Sequence, residues 1–166
     1  PRRVFNLAQT ANLPPRCHPV GEVKPLPEAL AEAETFLKTI GARVLHGGER
    51  AFYAPRLDLI TLPEPARFHT AGDYVATSLH EHGHWSGHPS RLHRDFSGRL
   101  GDRSYAEEER VAELPAAFLC ARLAVPGQLR HAEYLSHWVE LLKADAHALF
   151  TAAARATEAA RYLEQQ

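Results

Sequence analysis

The chain has 166 residues, 45% of them hydrophobic and 23% charged, enough for one domain with a sizeable buried core. Its 19 Lys and Arg against 20 Asp and Glu leave a formal charge of −1, which argues against a polyanion binder and against an acidic mimic of DNA. No stretch is long and apolar enough for a membrane span or a secretory signal, and Cys17 and Cys120 lack disulfide or zinc-knuckle spacing, so a reducing, cytoplasmic setting is expected.

Residues 1–27 carry six prolines and read as an extended arm or interdomain linker, with "RVFNLAQT" as one short strand. Residues 28–166 are expected to form the domain proper, and the absence of methionine suggests a piece of something longer. "PEALAEAETFLKTIG" starts on proline, carries acids in its early turns and has Gly41 just beyond, which predicts a helix. "ARVLHGG", "RAFYAP" and "DLITLP" are short β-prone segments parted by Gly-Gly and by 55–58, predicting a small antiparallel sheet.

"TAGDYVATSLHEHGHWSG" has Thr70 and Asp73 as capping residues and stops at Gly87 and Pro89, predicting a second helix. The segment 89–103 is Arg-rich, and Arg91, Arg94, Arg99 and Arg103 read as a solvated loop. "SYAEEERVAELPAAFLCARLAV" predicts a third helix with Ser104 as its cap and a kink at Pro115. Leu135, Trp138, Val139, Leu142, Leu149, Phe150 and Ala153 recur at helical intervals and mark one or two amphipathic C-terminal helices. Trp85, Trp138 and Phe118 fall within such apolar patterns and are expected in the core.

Eleven histidines in so short a chain lean towards a metal. His80-Glu81-His82-Gly83-His84 contains H-E-x-x-H, which on a helix aims His80 and His84 from one face at one ion. A catalytic zinc needs a third protein ligand and one open position. A metzincin would supply a histidine where Ser90 stands, and His88 lies beyond the helix stop at Gly87. The remaining source is "EEERVAEL" on the next helix. Glu109 is the expected ligand, and Glu113, four residues on, the acid that fixes a ligand imidazole; the reverse assignment is the alternative. Glu107 and Glu108 are read as facing solvent, and His82 as exposed.

Zinc is the default ion for this donor set, with Mn2+ and Fe2+ also compatible. Glu81 would act as general base and pass the proton on to a leaving amine. Tyr105, His131, Tyr134 and His137 are unranked helpers for an oxyanion or for substrate, and a β-segment within 50–62 could take an extended peptide as an added strand.

"FYAPRLDLITLP", "YVATSLHEHGHWSGHPSRLHRDFSGRLGD" and "YAEEERVAELPAAFLCARL", with the C-terminal "HAEYLSHWVELLKADAHALFTAAARATEAARYL", resemble the zincin-like metallopeptidase domain of ArdC-type antirestriction proteins. The resemblance rests on Trp85 after the second histidine, S-R-L at 90–92 and the E-E-x-V-A-E helix at 108–113. Pro115 and His82 depart from the usual pattern. The resemblance implies an α+β zincin-like fold, with the small sheet above the H-E-x-x-H helix and a helical layer beneath. The motif and donor set predict gluzincin-type hydrolysis of a peptide or protein substrate, while the resemblance implies no particular peptide. The competing expectation is a metal-stabilised, catalytically vestigial module of an antirestriction protein that binds single-stranded DNA through a separate N-terminal domain. No membrane partner is expected.

Overall fold

The computed structural model describes residues 26–96, 103–126 and 148–166; of the expected arm at 1–27, residues 1–25 lie outside them, and Leu26 and Pro27 already belong to the first helix. Helix α1 spans Leu26–Thr39, followed by strands β1 Val44–His46, β2 Phe52–Ala54 and β3 Leu59–Leu62. A short 3-10 turn at Pro65–Arg67 leads into α2 Ala71–Ser86, then come α3 Arg103–Arg122 and α4 Ala148–Glu164. Among the described residues no helix is long and apolar enough to cross a membrane.

The class is α+β, and α2 packs against α1, β2, β3, α3 and α4. That central placement is why α2 is buried nearly all round, from Val75 and Leu79 to Trp85 and Ser86. Its start is the expected capping box: Thr70 Oγ1 accepts from the Asp73 amide at 3.1 Å, and Asp73 Oδ2 accepts from the Thr70 amide at 3.1 Å, satisfying two amides that the helix itself leaves free. Gly41, at φ +72°, follows α1 in the left-handed conformation that glycine adopts without cost.

The sheet is mixed rather than wholly antiparallel. Its order is β1-β3-β2, with β1 parallel to β3 (Val44 beside Ile60) and β2 antiparallel to β3 (Tyr53 beside Ile60). Gly47 and Gly48, both at positive φ, carry the chain off β1, so the tight β2–β3 turn folds β3 into the gap between them. A strand's apolar pattern reports its buried face, not its neighbour. Ile60 and Leu62 turn inward, fully buried, and join Leu79, Leu119 and Leu163 in the core.

Two further expectations change at the helical layer. α3 runs on through the buried Pro115 and already contains Ser104, which is therefore no cap. α4 presents Ala152, Ala156, Ala159, Ala160 and Leu163 inward, and the four alanines leave room for it to pack against α3. Phe118, read as core, is instead 41% exposed, and Phe150, part of the C-terminal apolar periodicity, is 71% exposed. Leu135, Trp138, Val139 and Leu142 lie outside the described residues.

Candidate metal centre

The face of α2 opposed to α3 carries His80 and His84, whose Nε2 atoms stand 3.1 Å apart. From α3, Glu109 places one carboxylate oxygen 3.5 Å from His80 Nε2 and the other 3.6 Å from His84 Nε2. These three donors lie within 4.8 Å of one another. The far nitrogen of each ring is engaged by a second carboxylate: His80 Nδ1 meets Glu113 at 2.7 Å, and His84 Nδ1 meets Glu108 at 3.2 Å.

A carboxylate only accepts, so each Nδ1 carries the proton and, in the neutral rings, both Nε2 lone pairs point at the same spot as the Glu109 carboxylate. Three electron pairs converging there need a cation, and two imidazoles with one carboxylate suit a divalent ion such as zinc or manganese. Burial alone would lower the pKa of His80, but its hydrogen bonds to Glu109 and Glu113 and the charge of Glu81 raise it to about 10.

The helices can come so close because residue 83 is glycine. A Cβ there would sit 2.8 Å from the Ala112 carbonyl oxygen and 3.0 Å from Ala112 Cα. Gly83, inside H-E-x-x-H, thus sets how near α3, and with it Glu109, can approach.

Glu81 is 6% exposed, and burial holds its pKa above the ordinary carboxylate range, with the Glu109 charge adding to this against the opposing histidines. It lines a cavity of about 450 Å³ beside His80, His84 and Glu109, walled on the other side by Ala51, Phe52 and Tyr53. That wall is the edge strand β2. Tyr53 donates to Asp58 at 2.8 Å, and Arg91 binds Asp58 while its guanidinium lies 3.8 Å above the centre of the Trp85 ring. This network pins the β2–β3 turn to the C-terminal end of α2.

Several sequence expectations are corrected here. Glu108 does not face solvent: it is 8% exposed and takes a bidentate hydrogen bond from Arg94, at 2.9 and 2.8 Å. Burial would raise its pKa, but Arg94 and His84 hold it below the ordinary value. Arg94 also donates to Ser86 Oγ and to the Gly83 carbonyl, so neither it nor Arg91 belongs to a solvated loop. α3 lies along α2 over its first turns, so consecutive residues 108 and 109 reach the two sides of His84, and no spacing rule signals the role of Arg94.

His82 is buried, not exposed; its Nδ1 donates to the Ser78 carbonyl at 2.7 Å, and desolvation lowers its pKa to about 4. His88 bonds to Ser90 Oγ at 2.7 Å and stands apart from the donor group. Cys120 is a buried free thiol. His131, Tyr134, His137 and the side chain of Tyr105 lie outside the described residues.

Residues 31–155 match the family model of a zincin-like metallopeptidase. The chain is 42% identical over 165 residues to the uncharacterized protein y4eC of Sinorhizobium fredii (strain NBRC 101917 / NGR234), covering 98% of this chain and 53% of that protein. It is 42% identical over 157 residues to an Escherichia coli DNA primase TraC, covering 92% of this chain and 14% of the primase. The chain thus spans about half of the first relative and a small part of the second. The crystal structure of antirestriction protein ArdC from plasmid R388 in its Mn(II)-bound form superposes with TM-score 0.72 at 38% identity, over 97% of this chain and 60% of that one. Its metal-free form gives 0.70 at 39% identity, over 97% and 58%. Motif, geometry and family model agree: the chain belongs to the zincin-like metallopeptidase family.

Proposed function

We propose that this domain hydrolyses peptide bonds within an antirestriction protein, with His80, His84 and Glu109 as ligands to a divalent ion, zinc by default, and Glu81 as general base. The observation that carries the reading is the convergence of both Nε2 atoms and the Glu109 carboxylate beside the buried Glu81 at a cavity. A divalent ion held there would supply Lewis acidity, polarising a carbonyl and making water easier to deprotonate.

The rest is the work of the chain. Glu81, made more basic by its burial, accepts a proton from water in the cavity and returns it to the departing amine. Glu113 and Glu108 hold the two imidazoles in one tautomer and orientation. β2 lies at the edge of the sheet and against the cavity, where its Tyr53 amide donates to Glu81, and the remainder of this edge would take an extended peptide as an added strand.

The test compares wild type with Glu81→Gln on a proteome-derived peptide library, read by mass spectrometry, with metal content measured in parallel. Cleavage should fall by about 10²–10⁴-fold with metal content unchanged. Cleavage by neither protein, together with full antirestriction activity of Glu81→Gln in the longer protein, would refute the hydrolytic role and leave the ion a structural one.

A further inference from the structure

The cavity at Glu81 and the metal donors continues beyond Tyr53. Pro55, Asp95 and Phe96 line it and also line a second cavity of about 630 Å³, so the two join into one groove that runs along β2 and into the turn after it. Arg56, His88 and His93 stand at the far end. The far wall is in place before anything enters: Arg94 anchors it on Glu108, Ser86 and Gly83, and the Arg94 amide donates to the Gly87 carbonyl at 2.8 Å. Pro55, Pro89 and Phe96 add rigid apolar surface.

The polar groups available to an occupant are donors. Arg94 is committed to Glu108, whereas Arg56 is exposed and has no ion pair among the described residues. The Ser90 amide donates to His88 Nδ1 at 3.2 Å; an amide can only donate, so the neutral imidazole carries its proton on Nε2 and has a second donor there. Asp95, the one acid on this lining among the described residues, already has a partner of its own. A carboxylate suits both the guanidinium and the imidazole N–H, which a basic side chain cannot meet.

We propose that the groove selects peptides with an aspartate or glutamate side chain on the N-terminal side of the bond to be cut, the carboxylate being received by Arg56 and His88 Nε2. The direction follows from β2. Antiparallel pairing is the commoner and slightly the stronger, and a peptide antiparallel to β2 has its N-terminal half at Pro55 and Arg56. Tyr53, whose amide donates to Glu81, precedes Arg56 by about 10 Å of extended chain, which sets the acid roughly two to four residues before the cut. The position of the cut rests on the hydrolytic reading, whereas the preference for an acidic peptide is readable from binding alone.

A library of blocked random decapeptides is applied to the zinc-loaded chain carrying Glu81→Gln, and the retained peptides are sequenced by mass spectrometry; the wild type receives the same library for cleavage. Retained peptides should be enriched in Asp and Glu over Lys and Arg about two- to fivefold at low salt, the worth of an exposed ion pair. Cleaved peptides should carry the acid before the cut. Arg56→Glu, introduced into either protein, should turn the preference towards Lys and Arg with metal content and Tm unchanged. Acidic peptides retained and reversed by Arg56→Glu, with no cleavage by the wild type, would support the groove and tell against hydrolysis. An unchanged preference in Arg56→Glu, no retention of any peptide, or an acid found only after the cut would overturn the proposal.

Discussion

Replacing Gly83 with alanine adds one methyl group at the point where α2 and α3 touch. The new Cβ would stand 2.8 Å from the Ala112 carbonyl oxygen, against 3.4 Å or more for ordinary contact, so the helices must part by roughly half an ångström. Overpacking of this kind costs about 1–3 kcal/mol, while alanine returns about 1 kcal/mol of helix propensity. The net loss is about 0–2 kcal/mol, or at most several degrees in Tm for a domain of this size. The metal responds more sharply, because ligand distances tolerate only about 0.2 Å and the same displacement moves Glu109 away from His80 and His84. Metal affinity measured by calorimetry should fall at least about tenfold even where Tm barely moves. Wild-type affinity with an unchanged or higher Tm would refute the claim that Gly83 sets the ligand spacing.

Glu109→Ala should lose the ion outright, whereas Glu113→Ala should keep it with affinity lowered about 10–100-fold; elemental analysis and titration separate the two, and the reverse ranking would exchange their roles. Arg94→Gln leaves the Glu108 carboxylate buried beside His84 without its cation and should destabilise the fold by about 3–5 kcal/mol, read by chemical denaturation, with Arg94→Lys recovering part of the loss. Asp58 has its pKa lowered chiefly by the hydrogen bond from Arg91, so its contribution is complete above its unfolded value of about 3.9 and disappears as pH falls below it. Asp58→Asn should therefore flatten the acid limb of a stability–pH profile while leaving its shape near neutrality unchanged. Ala124 occupies the left-handed position that closes α3, with Val125 donating to the Cys120 carbonyl at 2.9 Å; Ala124→Gly should raise stability by up to about 1 kcal/mol, seen as a higher denaturation midpoint.

The elements that carry the candidate ligands were legible because their signals are local. Thr70 and Asp73 announce the start of α2, Gly41 the end of α1, and the four-residue spacing of His80 and His84 follows from helical geometry alone. Glu109 was legible by elimination and by its place on the following helix. What escaped was decided between elements. His82 looked exposed because it lies off the ligand face, yet α1 and β1 close over its other side. Glu108 and Arg94 looked solvated because charge runs usually are, and only the close approach of α2 and α3, permitted by Gly83, sets Glu108 against His84 and Arg94 against Glu108. The parallel pairing of β1 with β3 depends on the path of the chain through 47–51, on which strand composition is silent.

The placement of the histidines along α2 has an electrostatic consequence of its own. The helix begins at the Thr70 box and ends at Ser86, so His84 lies in its last turn. Aligned peptide dipoles leave about half an elementary negative charge at that end, and a cation bound between His80, His84 and Glu109 sits near this pole. The backbone thereby contributes about 0.3–2 kcal/mol to cation binding, a share that no exchange of ligand side chains removes. The orientation of α2 thus favours a cation over an anion at this end of the helix whichever side chains surround it.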